Sequence, residues 1–404
     1  MNERSNNYRL LQTHIILFSS CVLYILLYGK STLTFYDEFD YFAIARNLAF
    51  KQIYSIDGQH LTAFRAPVFP FFLSVLVRLG CGITSLKIVN SLLLVGSSFI
   101  LSVLLERNYG RSTGVSVSIL VLLYPVLIYT AGTLYPQMMG SILLVSTVFT
   151  LFWQNLTPIW RGLILRTLLG LLVLTIPTLT FLILFICLWL IYKRRDYKVA
   201  LICALVAFTI IGLWVYRNYN AFDKFIFVST NSGINLLRGN SEYATPNSGT
   251  NVDINRYIKQ APSGNEAEID VFYRNEALRY ISENKGHSIA LYFQKVLNNF
   301  NFRNDLATAN VNSWQKDTIM FVSYALLLIL LGCRVIQSRN QKLSEFEHFS
   351  ILLYTTAAFV QAIFFTRIRF RIPFDFLLIA VSSISLTHIL DQNQIFRRLI
   401  GRSS

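Results

Sequence analysis

The chain has 404 residues, of which 54% are apolar and only 14% are charged, and it carries a formal net charge of +15. A soluble protein has roughly 25% charged residues, so this composition excludes an ordinary soluble enzyme. It also excludes a disordered nucleic-acid-binding tail, because such segments contain few apolar residues. The composition is typical of a protein that crosses a membrane several times.

Apolar segments recur along the chain, and most approach the roughly 20 residues that a helix needs to cross a hydrocarbon core. Two longer segments, 114–153 and 162–192, have internal proline and polar breaks and predict helical hairpins, although 162–192 could instead be one tilted helix. Together these segments predict an all-α polytopic membrane protein with about ten transmembrane helices. The single spans are predicted at 11–28, 83–105, 199–216, 318–333, 349–365 and 372–390.

The segments on the side of this topology that carries both termini hold 16 Lys and Arg, among them the cluster Lys193, Arg194 and Arg195, against six acidic residues, whereas the other side holds 20 basic and 15 acidic residues. Basic residues favour the cytoplasmic side of short loops, so we expect both termini in the cytoplasm of a bacterium with the chain in its inner membrane. We expect no cleaved signal peptide, because residues 29–31 are a poor cleavage site. The two long loops, 29–82 and 217–317, are then periplasmic.

These boundaries divide the chain into three parts. Residues 1–216 are predicted to form a transmembrane module with the first loop, 217–317 a large second loop, and 318–404 the last helices and a cytoplasmic tail. In the second loop, apolar residues at helical spacing predict amphipathic helices that cover a site. The five cysteines and five histidines are scattered, so neither a disulfide nor a histidine-based metal site is predicted.

Three carboxylates, Asp37, Glu38 and Asp40, follow directly after the first predicted span. On a helix, Asp37, Asp40 and Tyr41 share one face, whereas Glu38 points about 100° away. Carboxylates this close to the hydrocarbon boundary indicate a functional site unless they are solvated or paired. The alternative, that Asp37 and Glu38 only cap the helix, remains equally open.

A single arginine, Arg65, precedes a short proline-containing apolar segment near residues 66–80. That segment is too short for a span and predicts a helix in the outer membrane interface. Arg65 could extend towards lipid headgroups, or its guanidinium could bind a phosphate through two hydrogen bonds.

Three motifs in order resemble integral-membrane glycosyltransferases of the GT-C fold, the group that holds the lipid A aminoarabinose transferase and protein O-mannosyltransferases. The first is Tyr-Asp-Glu-x-x-Tyr at 36–41 with Ala-x-Ala-Arg at 43–46 and Arg-x-Pro-x-x-Pro at 65–70. The second covers 214–240 and ends in Arg238-Gly239-Asn240, and the third is Arg-Ile-Arg-Phe-Arg-Ile-Pro at 367–373. The chain departs from the group at 135–137 and 176–177, which leaves the sugar and the subfamily open.

The resemblance implies an enzyme that moves a hexose or pentose from a polyprenyl-phosphate carrier, such as undecaprenyl phosphate, to a periplasmic glycolipid, O-antigen or other cell-surface glycan. We expect an inverting transfer in which Asp37 removes the acceptor proton, with Glu38 and Asp40 beside it. Cations should face the phosphate as it leaves. We assign that role to Arg65, Arg367, Arg369 and Arg371, and we assign substrate contacts to Tyr41, Arg217, Asn235 and Asn240.

No cofactor is required if arginines neutralise the phosphate, although the three carboxylates could bind Mg²⁺ or Mn²⁺. The expected partners are the lipid-linked donor, the glycan acceptor and membrane lipid, and not nucleic acid. Three alternatives remain open: a polymerase or ligase of lipid-linked saccharides, a transporter or flippase of such a saccharide, and a structural membrane protein. A transporter predicts charges deep in the membrane and paired broken helices, and this chain has nearly all its charges at the predicted edges.

Overall fold

A computed structural model describes residues 2–29, 31–303 and 314–392. Every regular element in these ranges is helical. Part of the second loop, 304–313, and most of the expected cytoplasmic tail, 393–404, lie outside the described residues.

The first half of the chain forms nine helices within the described ranges, and a π-helical turn at Ile25–Gly29 continues the first of them. The break predicted within 162–192 is present, because α8 ends at Val173 and helical structure resumes at Pro177. The bounds are α1 Asn2–Tyr24, α2 Tyr36–Lys51, α3 Val68–Arg78, α4 Ile83–Tyr109, α5 Arg111–Leu122, α6 Pro125–Ala131, α7 Gln137–Phe152, α8 Pro158–Val173 and α9 Phe181–Tyr192.

The second half begins with α10 and α11, which a π-helical turn at Ala207–Ile211 joins into one long stretch. Both segments of the second loop with amphipathic patterns are helical, as α14 and α15. The bounds are α10 Tyr197–Ala204, α11 Gly212–Phe222, α12 Ser232–Gly239, α13 Asn255–Gln260, α14 Glu266–Glu283, α15 Lys285–Asn298, α16 Trp314–Gln337, α17 Glu345–Gln361 and α18 Ile368–Gln392.

The chain is a multi-pass membrane protein by the length and composition of its helices. Within the described residues, five stretches are long and apolar enough to cross a membrane, and α5 with α6, bent by 67°, makes a sixth if the pair is one span. Helices α3, α7 and Pro177–Tyr192 are apolar but shorter. The count of ten spans therefore stays a prediction. The five stretches are Arg9–Gly29, Ile83–Tyr109, Tyr197–Phe222, Trp314–Gln337 and Ile368–Asp391.

The last helix, α18, lies at the centre of the bundle. It packs against α5, α7, α16 and α17, and most of its residues are buried. Arg369 and Arg371 of the arginine motif lie in its first turn and Arg367 lies directly before it, so the packing of this helix restricts where those arginines can point. On the other side of the bundle, α4 packs against α1, α5 and α7.

The first loop forms a compact unit from α2 and α3, which pack against each other. Helix α2 starts at Tyr36, directly after the first span, and ends where Gln52 adopts a left-handed conformation with a φ of 57°. Pro67 precedes α3 by one residue, and the amide of Val68 donates to the Leu174 carbonyl. This bond holds the start of α3 against the end of α8.

The second loop is fastened to the bundle at the end of α12. Gly239 lies so close to the Phe364 carbonyl that a Cβ atom at this position would collide with it. The ammonium of Lys295, fully buried, donates to the carbonyls of Gly239 (3.0 Å) and Phe364 (2.9 Å) and to Oδ1 of Asn240 (3.0 Å). One side chain from α15 therefore ties α12 to the turn that leads into α18.

Candidate active site

A carboxylate held between two arginines marks the candidate site. Oδ1 of Asp37 lies 2.6 Å from Nη2 of Arg65, and its Oδ2 lies 2.7 Å from Nη1 of Arg369. Arg65 also binds Oδ2 of Asp40, through Nη2 at 2.6 Å and Nε at 3.1 Å. We call Asp37, Asp40, Arg65 and Arg369 the Asp37 cluster.

The helical spacing of α2 brings the two carboxylates of this cluster together. Asp37 and Asp40 are three residues apart on α2, so they share a face, and both reach the same guanidinium. Tyr41 belongs to that face too, because the Arg65 guanidinium carbon lies 5.3 Å from its ring centre. The shared face predicted from the sequence is therefore present in the structure.

Arg65 is fixed at both its backbone and its side chain. The Tyr54 hydroxyl donates to the Arg65 carbonyl at 2.8 Å, and the Phe64 ring centre lies 4.9 Å from the guanidinium carbon. Aromatic faces stabilise a cation at such distances. Because the guanidinium is largely buried and bound to two carboxylates, it does not extend to lipid headgroups.

Arg369 reaches the cluster from the first turn of α18. Its guanidinium carbon lies 5.0 Å from the ring centre of Tyr135, whose ring packs in turn against Phe35 at the start of α2. The site thus lies where the first loop, the connection between α6 and α7, and the start of α18 meet.

The charges of the cluster strongly favour the ionised form of Asp37. Burial alone would raise the pKa of Asp37, but Arg369 and Arg65 outweigh burial and lower it from 3.8 to about 2. In return, although burial acts in the opposite direction, Asp37 and its neighbours raise the pKa of Arg65 above its ordinary value. Asp37 is therefore a carboxylate at neutral pH and, while both arginines hold it, a weak base.

A third arginine faces the cluster from the second loop. Arg238, on α12, lies within electrostatic range of Asp37, Arg65 and Arg369, and burial lowers the pKa of its guanidinium. Its Nε atom is buried without a hydrogen-bond partner, and no described carboxylate forms an ion pair with Arg238. Arg238 belongs to the sequence motif at 238–240, but the motif did not indicate that its side chain lies near Asp37, Arg65 and Arg369.

Glu38 has a structural role in place of the catalytic role expected from the sequence. It is fully buried, and its carboxylate accepts hydrogen bonds from the amides of Thr34, Phe35 and Leu134 at 2.8–3.0 Å. It caps the start of α2 and joins this helix to the segment before α7. With its oxygens occupied by backbone amides, Glu38 is not available to a substrate.

Of the three arginines on the last motif, only Arg369 meets the cluster. Arg367 donates to the Ser248 carbonyl at 2.9 Å and to the Asn251 side chain at 2.8 Å, so it binds the second loop. Arg371 is buried and pairs with Asp375 at 3.0 Å. It also donates to the carbonyls of Asn299 and Asn301, so it is already neutralised within the bundle.

The four residues assigned to substrate contacts lie in different surroundings. Tyr41 borders the cluster, and Asn235 lies one turn before Arg238 on α12. Arg217 donates to the Thr62 carbonyl at 2.9 Å, which supports the first loop three residues before Arg65. Asn240 accepts from Lys295 and donates to the carbonyls of Leu236 and Ile363, so it holds the second loop in place.

The carboxylates do not form a metal site in this arrangement. Asp37 and Asp40 are bound to arginines, and Glu38 faces backbone amides, so the three do not converge on one point. Across the described ranges, no group of three Asp, Glu, His or Cys side chains has the geometry to hold a metal ion. A divalent cation could bind these carboxylates only after the arginines had moved away from them.

The sequence matches no protein-family model and no curated protein. Solved structures do match it. The Archaeoglobus fulgidus oligosaccharyltransferase in the apo form has a TM-score of 0.57 at 12% identity, over 98% of this chain and 52% of that chain. The same archaeal enzyme, AglB, in complex with an inhibitory peptide and a dolichol-phosphate, has a TM-score of 0.52 at 12% identity and the same coverage. ArnT from Cupriavidus metallidurans in the apo state has a TM-score of 0.43 at 12% identity, over 94% of this chain and 79% of that chain.

The two matches to an archaeal oligosaccharyltransferase define the class as a multi-pass, all-α membrane protein with the GT-C fold. In particular, the chain shares its fold with the archaeal oligosaccharyltransferase and spans about half the length of that protein. The resemblance to GT-C proteins inferred from three sequence motifs is therefore confirmed for the fold.

Proposed function

We propose that this protein is an inverting glycosyltransferase of a bacterial inner membrane. It moves one sugar from a polyprenyl-phosphate carrier to a glycolipid, O-antigen or other cell-surface glycan in the periplasm. The observation that carries the proposal is the Asp37 carboxylate held between Arg65 and Arg369, where the first loop meets the start of α18. The shared fold with an oligosaccharyltransferase solved with a dolichol-phosphate supports a lipid-phosphate donor.

The chemistry requires a base at the acceptor oxygen and cations at the phosphate, on opposite faces of the sugar, so Asp37 must part from Arg65 and Arg369 when the donor binds. The acceptor oxygen forms a bond to the anomeric carbon while the bond from that carbon to the phosphate oxygen breaks. The electron pair leaves with the polyprenyl phosphate, and the acceptor proton passes to Asp37. Attack on the face opposite the phosphate inverts the anomeric centre. Arg65 and Arg369 stabilise the negative charge that collects on the departing phosphate.

The low pKa of Asp37 defines when it can act as a base. With both arginines bound, its pKa is about 2, which makes it a weak base. A donor phosphate competes for the same two guanidiniums and so weakens their hold on the carboxylate. Donor binding therefore raises the pKa of Asp37, and the base becomes active only when the sugar is present.

Charge balance supports an anionic ligand at the same place. Asp37 and Asp40 supply two negative charges, whereas Arg65, Arg369 and Arg238 supply three positive charges, so one positive charge is left over. Arg238 is half-buried and its Nε atom lacks a partner, so the extra charge favours an anion beside it. The phosphodiester of the donor carries one negative charge and restores the balance, which adds Arg238 to the donor-binding residues.

A second candidate is transfer of a preassembled oligosaccharide, as by a ligase of lipid-linked saccharides. The shared fold with an oligosaccharyltransferase favours it. The two candidates use the same residues and differ in the donor. They are distinguished by the mass added to the acceptor, which is one sugar residue in the first case and several in the second.

The test is transfer of labelled sugar by the purified chain in lipid nanodiscs. A panel of synthetic polyprenyl-phosphate donors, some carrying a monosaccharide and some an oligosaccharide, is supplied, and release of the lipid phosphate is followed by chromatography. Wild type is compared with Asp37→Asn and Arg65→Ala. Asp57→Asn is the matched control, because it removes an exposed carboxylate from the same loop. Full activity of Asp37→Asn would remove Asp37 as the base.

A further inference from the structure

A groove lies beside the candidate site, between residues 224–232 and helix α14. Its volume is about 360 Å³, within the range of roughly 300–1,000 Å³ that is usual for small-molecule sites. None of the residues assigned to a role from the sequence lines it. The lining comprises Lys224, Phe225, Ile226, Phe227, Ser229, Thr230, Ser232, Ala267, Glu268, Asp270, Val271 and Arg274.

Thr230 in this groove has an unsatisfied hydroxyl. The residue is only 5% exposed, yet its Oγ1 atom is buried without a hydrogen-bond partner. Leaving a buried hydroxyl unpaired costs about 1–3 kcal/mol, so native structures seldom retain one without a reason. A ligand hydroxyl in the groove would satisfy it.

Two phenylalanines on the same segment are exposed. Phe225 is 75% exposed and Phe227 is 38% exposed, and both line the groove. An aromatic ring offers an apolar face to the C–H face of a sugar ring, while nearby polar groups bind the sugar hydroxyls. The groove has both kinds of group.

The charges of the groove cancel. Lys224 lies 3.8 Å from Glu268, and the other two charged residues are Asp270 and Arg274. Asp270 accepts from the Gly233 amide at 2.5 Å and the Ser232 hydroxyl at 3.0 Å, so it also fixes the start of α12. Two positive and two negative side chains suit a neutral, hydroxyl-rich ligand better than a phosphate. A phosphate would bind instead to the arginines of the Asp37 cluster.

The groove is joined to the loop that carries Arg65. The Thr230 amide donates to the Ala63 carbonyl at 3.0 Å. Glu266, at the start of α14, accepts from the Thr62 hydroxyl at 2.8 Å and from the Ala63 amide. Ala63 is two residues before Arg65, so Thr230 links the groove to the segment that positions the cluster.

We propose that this groove binds a saccharide, and that this saccharide is the part of the acceptor next to the hydroxyl that is glycosylated. The assignment of the saccharide as acceptor rests on the proposed function. Saccharide binding itself can be measured without any transfer reaction, so the two proposals can fail separately.

The first experiment measures binding to an array of neutral oligosaccharides, built from glucose, mannose, galactose and N-acetylglucosamine, with the full chain in nanodiscs. We compare wild type with the double variant Phe225→Ala/Thr230→Val. Removing an unpaired hydroxyl does not threaten the fold, so Thr230→Val remains interpretable. Phe293→Ala is the matched control, since it removes a phenylalanine that is 55% exposed on α15.

We expect wild type and Phe293→Ala to bind at least one saccharide equally, and the double variant to bind it at least tenfold more weakly. Equal binding by the double variant, or an array on which wild type binds nothing, overturns the groove assignment. In that case Phe225 and Phe227 serve only as aromatic anchors at the membrane interface.

The second experiment uses the transfer assay. A KM for the acceptor raised at least tenfold in the double variant supports the acceptor role, and an unchanged KM overturns it. If wild type binds saccharide through the groove but transfers no sugar from any donor, the groove stands as a saccharide site and the proposed function fails.

Discussion

Asp37 and Arg369 are 332 residues apart in the chain, and their side chains meet in an ion pair of 2.7 Å. The contact joins the first helix outside the membrane to the start of the last span. It also leaves Arg65 and Arg369 facing each other across one carboxylate. Loss of Asp37 therefore changes both the charge and the geometry of the candidate site.

The first prediction concerns Asp37→Asn. We expect the rate of sugar transfer to fall by about 10²-fold or more, because general base catalysis contributes typically 10²–10⁴-fold. We also expect a loss of unfolding free energy of about 2 kcal/mol, because the ion pairs of Asp37 with Arg65 and Arg369 are lost while Arg65 keeps Asp40. Transfer rate and thermal unfolding are measured together, and Asp57→Asn should leave the transfer rate unchanged, because Asp57 binds only residues of its own turn.

The second prediction is a dependence of stability on pH. The pKa of Asp37 is 3.8 unfolded and about 2 in the fold, so the unfolded chain binds the proton more readily. The ion pairs then contribute about 2 kcal/mol above pH 4, and this contribution is lost as the pH falls from 4 to 2. Thermal unfolding between pH 6 and pH 2.5 tests it. Asp37→Asn should lose less stability over this interval than wild type, and parallel curves would contradict the assignment.

The third prediction concerns Arg238→Gln. We expect the KM for the lipid-linked donor to rise about 10–100-fold, the usual effect of losing a hydrogen bond to a charged group. The melting temperature should stay the same or rise, because a half-buried cation without a counter-charge is removed. Arg256→Gln is the control, since that arginine is exposed and pairs only loosely with Glu242 at 3.8 Å. A lower melting temperature with an unchanged KM would give Arg238 a structural role.

The fourth prediction concerns the buried pair Arg371–Asp375. Asp375→Leu should destabilise the protein by about 3–5 kcal/mol, because it leaves Arg371 buried without a counter-charge. The double variant Arg371→Met/Asp375→Leu should recover part of this loss. Because Arg371 does not contact the Asp37 cluster, the double variant should keep the donor KM of wild type. A raised KM for the donor would contradict this and would indicate that Arg371 does bind the donor phosphate.

The sequence predicted the carboxylate part of the site well. The spacing of Asp37 and Asp40 requires that they share a helix face, and the structure brings both to Arg65. Glu38 was harder to interpret, because a glutamate at the third position of a helix can cap it or face a substrate. Phe35 at the N-cap has no side-chain acceptor, so the sequence lacks the Ser or Thr of a capping box, and the structural role of Glu38 follows only from its contacts with the amides of Thr34, Phe35 and Leu134.

The arginine motif could not be resolved from spacing alone. The motif has three arginines within five residues, and each has a different partner in the folded protein. Arg367 binds the second loop, Arg369 binds Asp37 and Arg371 binds Asp375. For Arg371 a sequence signal did exist, because Asp375 is four residues further along the same helix, where an opposite charge forms a pair. For Arg238 and the groove at Thr230 none existed, since both depend on contacts between distant segments.

The position of Lys295 constrains how substrates enter and leave. Lifting the second loop away from α18 would break the hydrogen bond from the Lys295 ammonium to the Phe364 carbonyl, worth about 1.5–3 kcal/mol because the donor is charged, and the one from the Asn240 amide to the Ile363 carbonyl. Arg238 and Arg369, on either side of this fastening, are therefore expected to move as one rigid body. The second loop is therefore expected to stay in place over the site while substrates bind and leave. A lipid-linked donor is then expected to enter laterally between helices, from the bilayer that holds its lipid tail.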